Sequence, residues 1–138
     1  MTVFTKRLIA KSSARRQLID LTSEVSRIVR DAGVKEGMCM VSVPHATAAI
    51  LANEHETGLM RDMLARIDAL FPESGAYEHN AIDDNADAHI AAAFLGHSRS
   101  FPVSNAELVR GNWQNIFLVE LDGPRSRREV VVQVMGDN

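Results

Sequence analysis

The sequence predicts a single domain of the α+β class, built on a largely antiparallel sheet with about three helices. Three observations carry that expectation. Segments of helical periodicity lie before Gly96 and strand-like segments dominate after it, without the regular alternation of a doubly wound sheet. The chain has 138 residues, the size of one domain spanning residues 1–138. Hydrophobic residues make up 46% and charged residues 24%, which suits a buried core and excludes a disordered chain.

The elements follow in order. Residues 3–10 read as a first strand with Lys6 and Arg7 near its middle, and residues 15–19 as a short second one. Asp20 is placed to cap a helix whose apolar stripe is Leu21, Val25, Ile28, Val29 and Ala32, ended by Gly33. Residues 38–43 form a nearly continuous apolar run, as in a strand covered on both faces, and Pro44 interrupts it. Residues 48–52 continue as strand. Leu59, Met63, Ile67 and Leu70 give a second helix its stripe over residues 56–71, and Pro72 stops it. A polar loop runs to Ile82. Asp84 is read as the cap of a third helix, with Asp87 in its first turn, a buried face of Ala86, Ile90, Ala93 and Phe94, and Gly96 at its end. Strands are expected over residues 98–104, 108–109, 114–121 and 129–135, with Asp122-Gly123-Pro124 as the last turn.

Composition excludes several function classes. The net charge of −3 and an aromatic content of 5% argue against a nucleic-acid platform. No apolar run approaches the ~20 residues of a membrane span, and the first ten residues hold no signal-peptide core. The single Cys39 lies in an apolar run, which fits a reducing, cytoplasmic setting and leaves no multi-cysteine metal site.

All five histidines fall between positions 45 and 97, without H-E-x-x-H spacing. His45 follows Pro44, with Thr47 two residues on and Asn53 and Glu54 at the far end of the same segment. These four line one cleft, or Thr47 and Asn53 merely satisfy turn backbone. His89 lies beside the third helix's stripe, as a ligand or base or as a partly buried core residue. In the strand 114–121, alternation puts Gln114 and Glu120 at opposite ends of one face with Ile116 and Leu118 between, either a pocket wall or two solvent-facing ends. Arg125, Arg127 and Arg128 follow a tight turn, as a phosphate grip or as a solvated hairpin.

Taken together, these motifs resemble the YjbQ-like family of small bacterial and archaeal proteins, described as secondary thiamine-phosphate synthases. The resemblance rests on His45-Ala46-Thr47-Ala48-Ala49-Ile50, Asn53-Glu54, Tyr77-Glu78-His79, Asp84 to Ile90, Leu95-Gly96, Gly111-Asn112-Trp113-Gln114, Glu120, and Asp122-Gly123-Pro124-Arg125 with Arg127. It implies a compact α+β subunit, a homotrimer with clefts near subunit boundaries, and a weak activity that joins hydroxymethylpyrimidine diphosphate to a thiazole phosphate with release of pyrophosphate. It further implies His45, Glu54, His89 and Glu120 as catalytic groups. Thr47, Asn53, Asp84, Asn85, Trp113, Gln114, Arg125 and Arg127 are then the substrate-binding ones. His45, His79 and His89 are the expected ligands of a divalent metal, Mg²⁺ or Zn²⁺. The dedicated enzyme for that reaction is a TIM barrel of ~250 residues, which this chain is too short to form. Three positions depart from the family pattern: Ala46 stands where a hydroxyl residue is usual, Thr57-Gly58 where Asp-Pro is common, and Asn105-Ala106 where Asn-Gly is frequent. The alternatives to the transferase are a metal-dependent hydrolase with a histidine–carboxylate site and a non-enzymatic trimeric module for a small anionic metabolite.

Overall fold

The computed structural model describes residues 1–138. Strands β1 (Thr2–Ala10) and β2 (Gln17–Asp20) precede helix α1 (Thr22–Ala32). Then come β3 (Glu36–Ser42), β4 (Ala48–Asn53), α2 (Thr57–Leu70), a single 3₁₀ turn (Glu78–Ala81) and α3 (Ala86–Leu95). The chain closes with β5 (Ser98–Ser104), β6 (Glu107–Leu108), β7 (Asn115–Glu120) and β8 (Arg128–Asp137). A five-stranded sheet runs in the order β1-β8-β3-β5-β6 and a three-stranded one in the order β2-β7-β4. Every pairing is antiparallel, so the α+β architecture stands.

Strand β8 shows why the apolar residues fall where they do. Val130, Val132 and Val134 alternate into the main core, where they meet Val25 and Val29 of α1 and Cys39 and Val41 of β3. Their neighbours Val131, Gln133 and Met135 lie on the other face and are only partly covered. Strand β7 instead divides two cores. Ile116 and Leu118 face the first, while Phe117 and Val119 face a second core made with Ala88, Ala91 and Ala92 of α3 and Ile67 of α2. Burial on both faces is what its unbroken apolar run requires.

Several local expectations are corrected. Gln114 lies outside β7: its side-chain Oε1 accepts from the Gly111 N–H at 2.7 Å and closes a turn, so it does not pair with Glu120 across a pocket wall. The cap of α3 is Asn85 rather than Asp84, and the helix is rotated from the expected stripe. Ala86, Asp87, Ala88, Ala91 and Ala92 are buried, whereas Ile90 is 37% and Phe94 78% exposed. The cause is electrostatic. Asp87 takes Arg16 Nη2 at 2.7 Å and Arg15 Nη2 at 3.0 Å, and this paired, buried carboxylate fixes which side of α3 faces inward. On α2, only Ile67 of the expected stripe is buried, and Leu70 lies open.

Candidate functional site

At the Ala48 end of β4 lies Glu120, its cross-strand partner and the last residue of β7. Glu120 is fully buried and serves Arg128: the guanidinium Nε donates to its Oε1 at 2.9 Å. Ser12 Oγ donates to the same oxygen at 2.7 Å, and the Asp122 N–H to the other at 3.0 Å. Burial alone would raise the carboxyl pKa, but the hydrogen bonds from Arg128, Ser12 and Asp122 outweigh it and hold the value down. Arg128 Nη2 also donates to Thr47 Oγ1 at 2.9 Å and Thr47 O at 3.1 Å. Glu120 and Thr47 are thus consumed in a brace that ties β7, β8 and the segment before β4. Both are buried, and in this chain their polar atoms serve the brace. The bend after β7 is tight: a Cβ on Gly123 would run into Ala14 O and approach Ser12 Oγ.

His45 packs on the same brace. Its Nε2 accepts the Glu129 N–H at 2.9 Å, so the neutral ring carries its proton on Nδ1. Burial, reinforced by the charge of Arg128, lowers its pKa below the usual 6.5. With one nitrogen occupied and the other protonated, His45 is a hydrogen-bond donor.

A second chain of polar groups runs from the half-exposed Arg125 through the largely buried Asp122 and Asn85 to the exposed His79. Asp122 Oδ2 accepts from Arg125 Nη2 at 2.9 Å and from Asn85 Nδ2 at 2.9 Å. Because a carboxylate only accepts, the amide nitrogen of Asn85 faces Asp122 and its Oδ1 is left to His79 Nε2, 3.1 Å away. His79 therefore holds its proton on Nε2 and keeps Nδ1 as a free lone pair. Its ring meets that of His89 edge to face, with centroids 4.9 Å apart. The two imidazoles share a cavity of about 450 Å³ with Tyr77, Ala86 and Ile90. A smaller hollow of about 250 Å³ on the other side of His89 is lined by His45, His97 and alanines, Ala48 and Ala92 among them. A larger one of about 600 Å³ lies along α2, away from every histidine.

The expected residues thus divide between two ends of the β4–β7 pair. His45, His79, Asn85, His89 and Arg125 gather at one end. Asn53 pairs with Asn115 at the other, five residues from Ala48 and so ~17 Å away at the rise of a strand. Glu54 follows Asn53 there, and its N–H donates to the Asn53 side chain at 2.8 Å. Trp113 and Gln114 precede Asn115, and Trp113 is 72% exposed. Asp84 is exposed and its N–H donates to Asp83. Arg127 lies in the exposed hairpin beyond Arg125. His89 has no carboxylate partner: Asp87 is taken by Arg15 and Arg16, and the ring of His79 is its neighbour.

A divalent metal was expected on His45, His79 and His89. No group of three histidine, cysteine or acidic side chains converges in this chain, and His45 is spoken for by Glu129. Catalytic zinc takes three protein ligands, so the two imidazoles of one chain do not complete a zinc site. Magnesium prefers carboxylate oxygens, and Asp122 behind His79 is already held by Arg125 and Asn85. Sequence reasoning missed Asp122, Asp87, Arg15 and Arg128 as members of these networks. The available signal was the Asp-Gly-Pro-Arg turn itself, whose acid, rather than its arginines, organises the site.

Fold and site define a small α+β protein with a histidine cleft beside an arginine hairpin. The sequence profile of the UPF0047, YjbQ-like proteins matches residues 6–137. A UPF0047 protein of Methanothermobacter thermautotrophicus is 43% identical over 99% of this chain and 94% of its own length. The UPF0047 protein YugU of Bacillus subtilis is 34% identical, covering 95% and 98%. Among solved structures, a YbjQ-like protein of unknown function from Sulfolobus solfataricus superposes with a TM-score of 0.97 at 50% identity, covering 98% of both chains. A hypothetical protein of Aeropyrum pernix gives a TM-score of 0.94 at 38% identity, covering 97% and 99%. The chain belongs to the UPF0047, YjbQ-like family.

Proposed function

We propose that this protein is a transferase of the secondary thiamine-phosphate synthase type, of low activity, acting on small phosphorylated metabolites as a homotrimer. The observation that carries the reading is the chain Arg125–Asp122–Asn85–His79, which ends beside His89 in one cavity. The cavity of about 450 Å³ suits one heteroaromatic ring with its substituent, and Tyr77 and Ile90 give it apolar wall. In the reaction the carbon–oxygen bond to the diphosphate breaks and a carbon–nitrogen bond to the thiazole forms. Expulsion of pyrophosphate demands positive charge at the leaving group. Arg125, 48% exposed, and Arg127 supply it from the hairpin. The free Nδ1 of His79 accepts a hydrogen bond from the pyrimidine amine, and His89 shares that task.

Pyrophosphate release from purified protein given both precursors tests this. Release that needs both substrates, and that falls in His79→Ala and in Arg125→Ala/Arg127→Ala, is the expected result. No release above the protein-free rate rejects the transferase. Tight pyrophosphate binding without turnover would favour the non-enzymatic module instead, because both readings use the same arginines.

A further inference from the structure

We propose that Asp20 and His55 form a second reactive centre, in which His55 Nε2 acts as general base in the hydrolysis of neutral or cationic carboxylic esters. This centre lies at the Asn53 end of the β4–β7 pair and does not depend on the transferase reading. Asp20, at the end of β2, is loaded on both oxygens. Its Oδ1 accepts from the Thr22 N–H at 2.9 Å and from Thr22 Oγ1 at 2.6 Å. Its Oδ2 accepts from Asn115 Nδ2 at 2.8 Å and faces His55 Nδ1 at 2.6 Å. These bonds fix the carboxylate in place. Opposite an acceptor-only oxygen, His55 must present Nδ1–H, and in the neutral ring its Nε2 is then the lone pair. The ring of Phe117 lies 5.6 Å from that of His55 and limits its rotation from a second side. Half of the imidazole, 49%, remains accessible.

His55 differs in this from the other histidines described. His45 has its Nε2 occupied, and His79 is backed by a neutral amide. Only His55 has a carboxylate on Nδ1, the arrangement that fixes the ring's tautomer and aims the opposite nitrogen outward. The surroundings select the substrate. Asp20 has no lysine or arginine partner, and Glu54 and Glu56 flank His55 in the chain. A phosphoryl or carboxylate group would meet the charge of Asp20 and the acidic neighbours Glu54 and Glu56, the last of which caps α2 through the Leu59 N–H, whereas a neutral or cationic ester would not be repelled. In the step, Nε2 takes a proton from water as the water oxygen bonds to the ester carbonyl carbon. The carbon–oxygen bond to the alcohol then breaks, and the imidazolium proton passes to the departing alkoxide.

The full-length protein is assayed with p-nitrophenyl acetate. His55→Gln is expected to lower the rate roughly tenfold or more, while His97→Gln, at an exposed histidine without a carboxylate partner, keeps it. Wild-type hydrolysis by His55→Gln, or an equal fall in His97→Gln, overturns the proposal. The anionic ester 4-nitrophenyl hydrogen succinate is expected to react more slowly than the neutral one, and equal rates overturn the substrate class. Asp20 is the positioning residue. In nitrogen-15 spectra the His55 ring of the wild type is expected as the Nδ1–H form, and that of Asp20→Asn as a mixture. An unchanged tautomer in Asp20→Asn overturns its role.

Discussion

At the scale of single residues, the structure separates histidines and carboxylates that look alike in sequence. Glu120 and Glu54 were both expected to be catalytic, yet Glu120 is sealed under Arg128 while Glu54 stands at the opposite end of β4. Removing one partner of a buried pair leaves the other uncompensated, so Glu120→Gln is expected to cost ~3–5 kcal/mol in urea unfolding. Acid acts on the same brace. The folded pKa of Glu120 is depressed below 4.5, so its contribution is complete above that value and is lost as pH falls through the folded one. The depressed pKa of His45 works in the same direction from a higher starting point, since the unfolded imidazole takes its proton first as pH falls through 6.5. Urea midpoints measured from about pH 7 down to about pH 2 are therefore expected to fall in two stages, and Glu120→Gln to show a smaller lower one, to which the depressed Asp20 also contributes. His89 behaves differently. It is half-buried and no carboxylate holds it, so His89→Ala is expected to lose pyrophosphate release while its melting temperature stays within a few degrees. A large loss of stability with full activity would make His89 structural.

At the scale of elements, most strands were legible because alternation and turn residues report backbone directly. Residues 98–104 are strand as expected, and β1, β4, β7 and β8 differ from expectation only at their ends. The rotation of α3 was not legible. Its alanines carry little directional signal, and the force that orients it, Asp87 against Arg15 and Arg16, joins residues some seventy positions apart. The same blindness to long-range pairing hid the Asp122–Asn85–His79 chain and the separation of Asn53 and Glu54 from His45. The β5–β6 hairpin shows the opposite case, a sequence departure with a local meaning. Asn105 and Ala106 form its two-residue loop with φ of 52° and 62°, a left-handed conformation that suits Asn-Gly. Alanine is strained there, because its Cβ crowds the following carbonyl. Ala106→Gly is expected to stabilise the protein by ~1 kcal/mol, offset in part by the greater freedom of glycine when unfolded. Thermal or urea unfolding reads this, and a destabilised variant would contradict the strain.

At the scale of the whole molecule, the five-stranded sheet leaves one face without a partner. Its inner face packs on α1 through Val130, Val132 and Val134, but the outer face carries Val3, Ile9, Met38, Val131 and Met135. The registers place Val3 and Met38 on either side of Met135, so these apolar side chains form a continuous stripe across β1, β8 and β3. Val3 is 55%, Ile9 46% and Met38 45% exposed. Val131 and Met135 are therefore only partly covered within one chain, and a second copy laid on this face would cover them. Contiguous exposed apolar surface of this kind marks an association site. A homotrimer is the assembly that the family resemblance implies, and in a cyclic trimer this face of each subunit would be covered by a different surface of the next. Light scattering is expected to give about three times the 15.2 kDa of one chain. Met38→Glu, which places a charge at the β3 end of the stripe, is expected to shift that mass toward one chain while the far-ultraviolet spectrum keeps its strand signature. A wild-type mass of 15.2 kDa at micromolar concentration would refute the trimer, and an unchanged mass in Met38→Glu would move the interface to another face.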